Sequence, residues 1–181
     1  MDADQIRQIM NTCHFSQKHF GGVFASDEIP YIDVDDENLP QGYIFNYDPS
    51  YMSGSHWVAA VIKKNGNLFF DSYGKEPALD EMKDFLTEHY YYNHVQYQNN
   101  YSSTCGQWCV FFLWYEFTGQ SFPLSFKFDP KDTLKNDYLL NEWVNKQFDL
   151  ELKPIDKEFL SHQISREMNE NMVNEDFPLN Y

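Results

Sequence analysis

A chain of 181 residues, 42% apolar and 18% aromatic, has enough core-forming side chains to fold as one ordinary domain without metal or disulfide support, which argues against intrinsic disorder. Its 28 acidic against 13 basic residues give a net charge of −15, which repels phosphate backbones and argues against nucleic acid as a partner. The N-terminus has no basic segment leading into an apolar core, and the longest strongly apolar run, Trp108 to Tyr115, is far shorter than the ~20 residues a membrane span requires, so neither secretion nor membrane insertion is expected. Three cysteines, Cys13, Cys105 and Cys109, form an odd set at unremarkable spacing, which fits reduced thiols in an intracellular compartment.

In chain order, Ile6, Ile9, Met10 and Cys13 recur at helical spacing, so a short amphipathic helix is predicted over 4–14. Residues 15–40, with Gly21-Gly22, Pro30, Pro40 and the acidic stretch Asp33 to Glu37, read as an extended loop that could rim a cleft. Strands are predicted at Tyr43 to Tyr47, His56 to Ile62 and Leu68 to Asp71, the last two forming a hairpin about Lys63-Lys64-Asn65-Gly66. Helical periodicity returns over 78–91, and His94 to Gln98 looks extended. Ser102-Ser103-Thr104 offers N-cap residues directly before the almost wholly apolar run Cys105 to Phe117, which Gly119 closes; this predicts a buried central helix. Helices near 133–148 and 155–172 complete a single α+β domain spanning 1–181, with 155–181 as a peripheral helix and tail.

The chemistry concentrates on Cys105. A thiol in the first turn of a buried helix feels the positive end of the peptide dipoles, which favours the thiolate, the attacking species. Cys109, one turn deeper, fits a plain core residue. A nucleophilic thiol needs a base, and His56, opening an apolar strand, is the best of the six histidines; the other five lie in helical or loop contexts. Asp71, closing the next strand, could orient the imidazole as the third member of a triad. Hairpin register governs whether they meet. A two-residue Asn65-Gly66 turn pairs Asp71 with Ala60, ~13 Å along the strand from His56, whereas a loop beginning at Lys63 shortens that offset. Gln98, on the extended segment before Cys105, could donate its amide to an oxyanion together with the Cys105 backbone N–H; Gln96 competes for the same role.

Four blocks in order, Gly54-Ser55-His56-Trp57, Leu68-Phe69-Phe70-Asp71-Ser72-Tyr73-Gly74, Gln98 and Cys105-Gly106-Gln107-Trp108-Cys109, resemble the adenovirus-type maturation proteases, the adenain family, and more distantly the proteases of ubiquitin-like proteins. Phe20-Gly21-Gly22-Val23-Phe24 is similar, less specifically, to the start of adenain. The resemblance implies a cysteine-proteinase-like α+β fold, with the nucleophile on a central buried helix packed against a small, mostly antiparallel sheet. It implies His56 as base, Asp71 as its orienter, Cys105 as nucleophile, Gln98 as oxyanion donor, and Trp57 and Gly106 along a narrow substrate channel. The implied activity is processing of viral capsid or virion precursor proteins at Gly-containing sites, by an enzyme of a virophage, another parasite of large DNA viruses or a related transposable element. That places it in host cytoplasm or a viral factory, with packaging into the virion as a further expectation.

The family's cofactors are not expected to carry over. Adenain resembles a basic protein that uses DNA and a disulfide-tethered peptide, whereas this chain is acidic and lacks a cysteine just before Gln98. No metal is expected either, because Cys105 and Cys109 have no nearby second pair. Two alternatives to a maturation protease are a deconjugating protease for ubiquitin-like modifiers and a non-enzymatic virion interaction protein.

Overall fold

The computed structural model describes residues 1–12, 14–119, 128–152, 155, 156, 158 and 161–165. Helix α1 (Ala3–Thr12) buries Ile6, Ile9 and Met10, the stripe visible in the sequence. The segment expected as loop is instead structured: α2 (His14–His19), strand β1 (Phe20–Phe24) and two 3-10 turns, Ser26–Tyr31 and Asp36–Asn38. The glycine pair that signalled a loop lies inside β1 at a bulge. Gly22 there has a φ of 140°, which side-chain-bearing residues rarely adopt, and a Cβ on Gly21 would strike the Tyr43 ring.

Strands β2 (Gln41–Asn46), β3 (Trp57–Ile62) and β4 (Asn67–Phe70) are antiparallel, with β1 and β5 (Tyr90–Tyr92) added parallel at the two edges in the order β1-β2-β3-β4-β5. The sheet is therefore antiparallel at its centre and mixed overall. Parallel pairing needs a crossover, which α3 (Asp80–Leu86) supplies between β4 and β5 and the 3-10 turns supply between β1 and β2. Helix α3 is shorter than the predicted 78–91, because the chain turns at Thr87, whose φ is 62°. The aromatic triplet Tyr90–Tyr92 then joins the sheet, as its residue types favour, while 94–98, expected as extended, lies beyond it.

Both faces of β3 are covered. Ala59 and Val61 join a core with α1, α4 (Cys105–Thr118) and α5 (Thr133–Phe148), whereas Val58, Ala60 and Ile62 join a second core with Met82 and Leu86 of α3. Its sequence is accordingly a continuous apolar run. Helix α4 is apolar around its circumference and buried, ending at Gly119 in the left-handed conformation. It lies so close to β2 that a Cβ on Gly42 would clash with Leu113 and Phe117. Helix α5 has the predicted limits, and Asp132 caps it by accepting the Lys135 N–H. Residues 161–165 are helical; the rest of the helix predicted over 155–172 falls partly outside the described residues. Among the described residues, no helix is long and apolar enough to cross a membrane.

Candidate active site

The hairpin between β3 and β4 pairs Ala59 with Phe70 and Val61 with Leu68. The connection is therefore the longer one, starting at Lys63, and the Asn67 side chain stabilises it by accepting the Lys63 N–H at 2.9 Å. This register brings Asp71 one diagonal step from His56 on the same face, within side-chain reach. His56 Nε2 and Asp71 Oδ1 are 2.9 Å apart, with both side chains largely buried. The His56 backbone is fixed just beyond β3 by its carbonyl, which accepts the Tyr47 N–H. Its ring is sandwiched between Tyr47 and Tyr73, at centroid separations of 5.6 and 4.9 Å. The π faces restrict ring rotation and favour the imidazolium.

Asp71 is held from three directions. Its Oδ1 also accepts the Tyr73 N–H, and Asn93 brackets its backbone, accepting the Asp71 N–H through Oδ1 and donating Nδ2 to the Asp71 carbonyl. The turn closes with Gly74 N–H on the Asp71 carbonyl at 2.8 Å. Gly74 has a φ of 70°, and a Cβ there would come within 2.7 Å of the Val95 carbonyl carbon. Both facts explain why the Asp-x-x-Gly spacing needs glycine: the turn is left-handed and lies directly against the 95–98 segment. Through that contact Ser72 receives at its carbonyl the N–H groups of Tyr97 and Gln98.

Cys105 opens α4 and faces the same imidazole. Asp71 occupies Nε2, so Nδ1 is the nitrogen available to sulfur. Burial pushes the Cys105 thiol up, but a hydrogen bond with His56, the N–H groups of Trp57 and Gly106 and the imidazolium charge outweigh it, and the thiol lies below its ordinary value. Burial likewise pushes His56 down, yet hydrogen bonds to Asp71 and Cys105 and their charges raise it to about 9. Thiolate and imidazolium thus stabilise each other. The Ser102-Ser103-Thr104 cap expected from sequence takes a different form: Thr104 is the N-cap residue, yet its hydroxyl makes no capping bond and donates instead to Asp137 of α5. The first-turn N–H groups stay uncapped by that hydroxyl, next to the sulfur.

Gln98 and Gln96, equivalent in sequence, are distinguished by burial. Gln98 is 1% exposed, its Oε1 accepting the Ser72 hydroxyl at 2.6 Å and its Nε2 donating to the Ser102 carbonyl at 2.9 Å. Gln96 donates to the Gln98 carbonyl and to Asn100. The Gln98 amide is thus fixed between the Asp71–Gly74 turn and the loop entering α4, with one of its two N–H groups engaged by Ser102.

An open groove of about 960 Å³ is lined by Cys105, Trp57, Ser103, Met1, Val23 and Phe24 among others. The segment 15–40 does rim it. Trp57 belongs to its lining, and its indole N–H donates to the Met1 carbonyl at 3.1 Å. Gly106 is not part of the lining: it packs behind, where a Cβ would lie 3.1 Å from Met1 Cβ and 3.4 Å from Trp57. Its lack of a side chain lets Met1 and Trp57 approach α4 closely. Cys109 is fully buried, which raises its thiol well above the ordinary value. Cys13 lies outside the described residues. Among the described residues, no group of three His, Cys, Asp or Glu side chains could hold a metal ion.

Sequence reasoning missed Ser72, Tyr47, Tyr73 and Asn93. Tyr73 and Ser72 lie within the Asp71–Gly74 motif, where their position was a signal; Asn93 offers none, because its contacts with Asp71 span 22 residues.

No family model matches the chain, and no curated protein matches it. Among solved structures it is similar to the SUMO protease Ulp1 with its catalytic cysteine oxidised to a sulfonic acid, at 12% identity and a TM-score of 0.47, over 81% of this chain and 78% of that one. It is also similar to the C-terminal Ulp1 protease domain in complex with Smt3, the yeast ortholog of SUMO, at 13% identity and a TM-score of 0.45, over 81% and 76% of the two chains. A third is Ulp1 with the cysteine oxidised to a sulfinic acid, at 14% identity and a TM-score of 0.43, over 81% and 78%.

Proposed function

We propose that the protein is a cysteine endopeptidase with Cys105 as nucleophile, His56 as acid and base, Asp71 as orienter of the imidazole and Gln98 as oxyanion donor. The observation that carries this reading is the 2.9 Å hydrogen bond between Asp71 Oδ1 and His56 Nε2, with the Cys105 thiol, at the first turn of α4, shifted down by its interaction with the same imidazole. A structural role alone gives no reason to bury a thiol, an imidazole and a carboxylate together.

In this mechanism the Cys105 thiolate attacks the scissile carbonyl carbon, and the C=O π electrons move onto oxygen. The Cys105 N–H and the remaining Gln98 Nε2 hydrogen stabilise that oxyanion. As the carbonyl re-forms, the C–N bond breaks and His56 gives its Nδ1 proton to the departing amine. Water then attacks the thioester while His56 takes one of its protons; the acid product leaves and the thiolate returns. Asp71 keeps Nε2 protonated and the ring aligned throughout.

The open groove lined by Cys105 and Trp57 has room for an extended polypeptide. Together with the adenain-like motifs, this supports viral precursor proteins as substrates, cleaved at Gly-containing sites. The test is mass spectrometry of Gly-containing capsid-precursor peptides and a ubiquitin-like-modifier fusion, each incubated with wild-type and Cys105→Ala protein. Cleavage of the precursors by wild type alone is expected. Cleavage of the fusion alone reassigns the substrate to modifier conjugates, and equal outcomes for the two proteins overturn the assignment of Cys105.

A further inference from the structure

Behind the 95–104 loop lies a carboxylate that the proposed chemistry does not use. Asp137 on α5 is 0% exposed. Its Oδ2 accepts the Asn99 backbone N–H at 2.9 Å, and its Oδ1 accepts the Thr104 hydroxyl at 2.7 Å and the Trp108 indole N–H at 2.8 Å. The preceding residue, Asn136, donates Nδ2 to the Tyr97 carbonyl at 3.3 Å and to the Asp129 carbonyl at 2.8 Å. Two adjacent residues of α5 thus grip the chain immediately before and immediately after Gln98. The same Asp137 carboxylate grips Thr104, immediately before Cys105, and Trp108, within the first turn of α4.

From this arrangement we infer that Asp137 is a positioning residue for the oxyanion hole, setting the distance between its two donors, the Gln98 amide and the Cys105 N–H. The inference rests on the oxyanion role proposed above for those two groups. The donors lie on opposite ends of a loop of polar residues, and a loop of that kind has no apolar packing to fix its span. Within the loop, Ser102 bonds to Asn99, Thr104 and Gln98, but every one of these contacts could move with the loop as a body. Ser72 holds the Gln98 end of the loop, whereas α5, anchored in the core through Leu140 and Val144 on the same helix face, holds both Asn99 and Thr104 and so ties the two ends together. Burial holds the Asp137 carboxyl above the usual carboxylate range, against the downward pull of the hydrogen bonds it receives. The three groups within hydrogen-bond distance of it, the Asn99 N–H, the Thr104 hydroxyl and the Trp108 indole N–H, all donate, so acceptor oxygens are what the site requires. A carboxylate so enclosed trades solvation for geometry.

The test is Asp137→Asn, which keeps the shape and turns one acceptor into a donor facing other donors. Three quantities separate positioning from plain structure: peptide cleavage, inhibition by a peptide aldehyde, whose thiohemiacetal oxygen occupies the oxyanion hole, and alkylation of Cys105 by iodoacetamide, which forms no oxyanion. The expected result is a kcat lower by about 100-fold with KM within about threefold of wild type. Aldehyde affinity falls in proportion, while the rate, amplitude and pH profile of alkylation stay as in wild type.

A parallel loss of alkylation amplitude, or aldehyde affinity unchanged while kcat falls, overturns the inference. If Asp137→Asn does not fold, Thr104→Val decides: a smaller loss of kcat with matching loss of aldehyde affinity supports positioning, and none overturns it. A wild-type protein that neither cleaves peptide nor binds the aldehyde overturns the endopeptidase reading, and this inference with it. A wild type that does both, with a variant identical to it, overturns this inference alone.

Discussion

Cys105 and Cys109 are one turn apart on the same helix, both buried, and their thiols are driven in opposite directions. Burial raises both. What differs is that Cys105, at the helix start, meets an imidazole and two backbone N–H groups, whereas Cys109 meets apolar core and the nearby charges of Cys105 and Asp71. The contrast teaches that helix position and partners, not cysteine burial, make a reactive thiol. It also explains why β3 and β4 matter to α4: the register that sets Asp71 beside His56 is what gives one of the two sulfurs a cationic neighbour.

The comparison can be broken most severely by substitution at the proposed catalytic residues. Cys105→Ala is expected to reduce kcat by about 10⁶-fold, to background, with the fold intact by circular dichroism. His56→Ala is expected to cost nearly as much, because the two act as one unit, and to slow iodoacetamide labelling of Cys105 at neutral pH. Asp71→Asn retains the shape of the orienter but not its charge, and a loss of about 10⁴-fold in kcat is expected, with KM little changed.

The pH profile sharpens the contrast further. His56 is raised to about 9, so the imidazolium that would protonate the leaving amine in the proposed mechanism is present below that value and is lost as pH rises through it. Cys105 is lowered, so the thiolate survives as pH falls below the usual thiol range and disappears only when the pH passes the lowered value. Cleavage is therefore expected to be bell-shaped, its limbs reporting the coupled pair rather than either residue singly. Alkylation of Cys105 should lose rate only on the acid side, since raising pH removes no thiolate. The smallest effect is expected at the other sulfur. Cys109→Ser should leave kcat within a few-fold while lowering stability by about 1–3 kcal/mol, because a hydroxyl in that apolar site lacks an adequate partner; thermal and urea unfolding would measure it.

Much of this site is visible in the sequence because residue type and local pattern suffice for it. The almost wholly apolar run after Thr104 marks α4, and a helix near 133–148 is expected where α5 lies. His56, Asp71 and Cys105 stand out by chemistry and order. Their meeting was not legible, since it depends on the Asn67 side chain holding the longer hairpin loop open. The edge strands were hidden for a related reason: β1 and β5 are short and owe their conformation to pairing rather than to alternation. Polar supports reached across the fold were hardest to find. Asp137 left one trace, a carboxylate on the helix face that carries Leu140 and Val144, which only a buried set of donors can explain.

The central claim is that Cys105, alone of the two cysteines on α4, is held as a thiolate by His56. Its most direct test is peptide-mapped iodoacetamide labelling of the native protein across pH, in wild type and His56→Ala. Fast labelling of Cys105 well below the ordinary thiol range, slowed by loss of His56, with Cys109 unlabelled until the protein unfolds, is the predicted result. Labelling of the two sulfurs at equal rates, or a Cys105 profile that His56→Ala leaves unchanged, would contradict it.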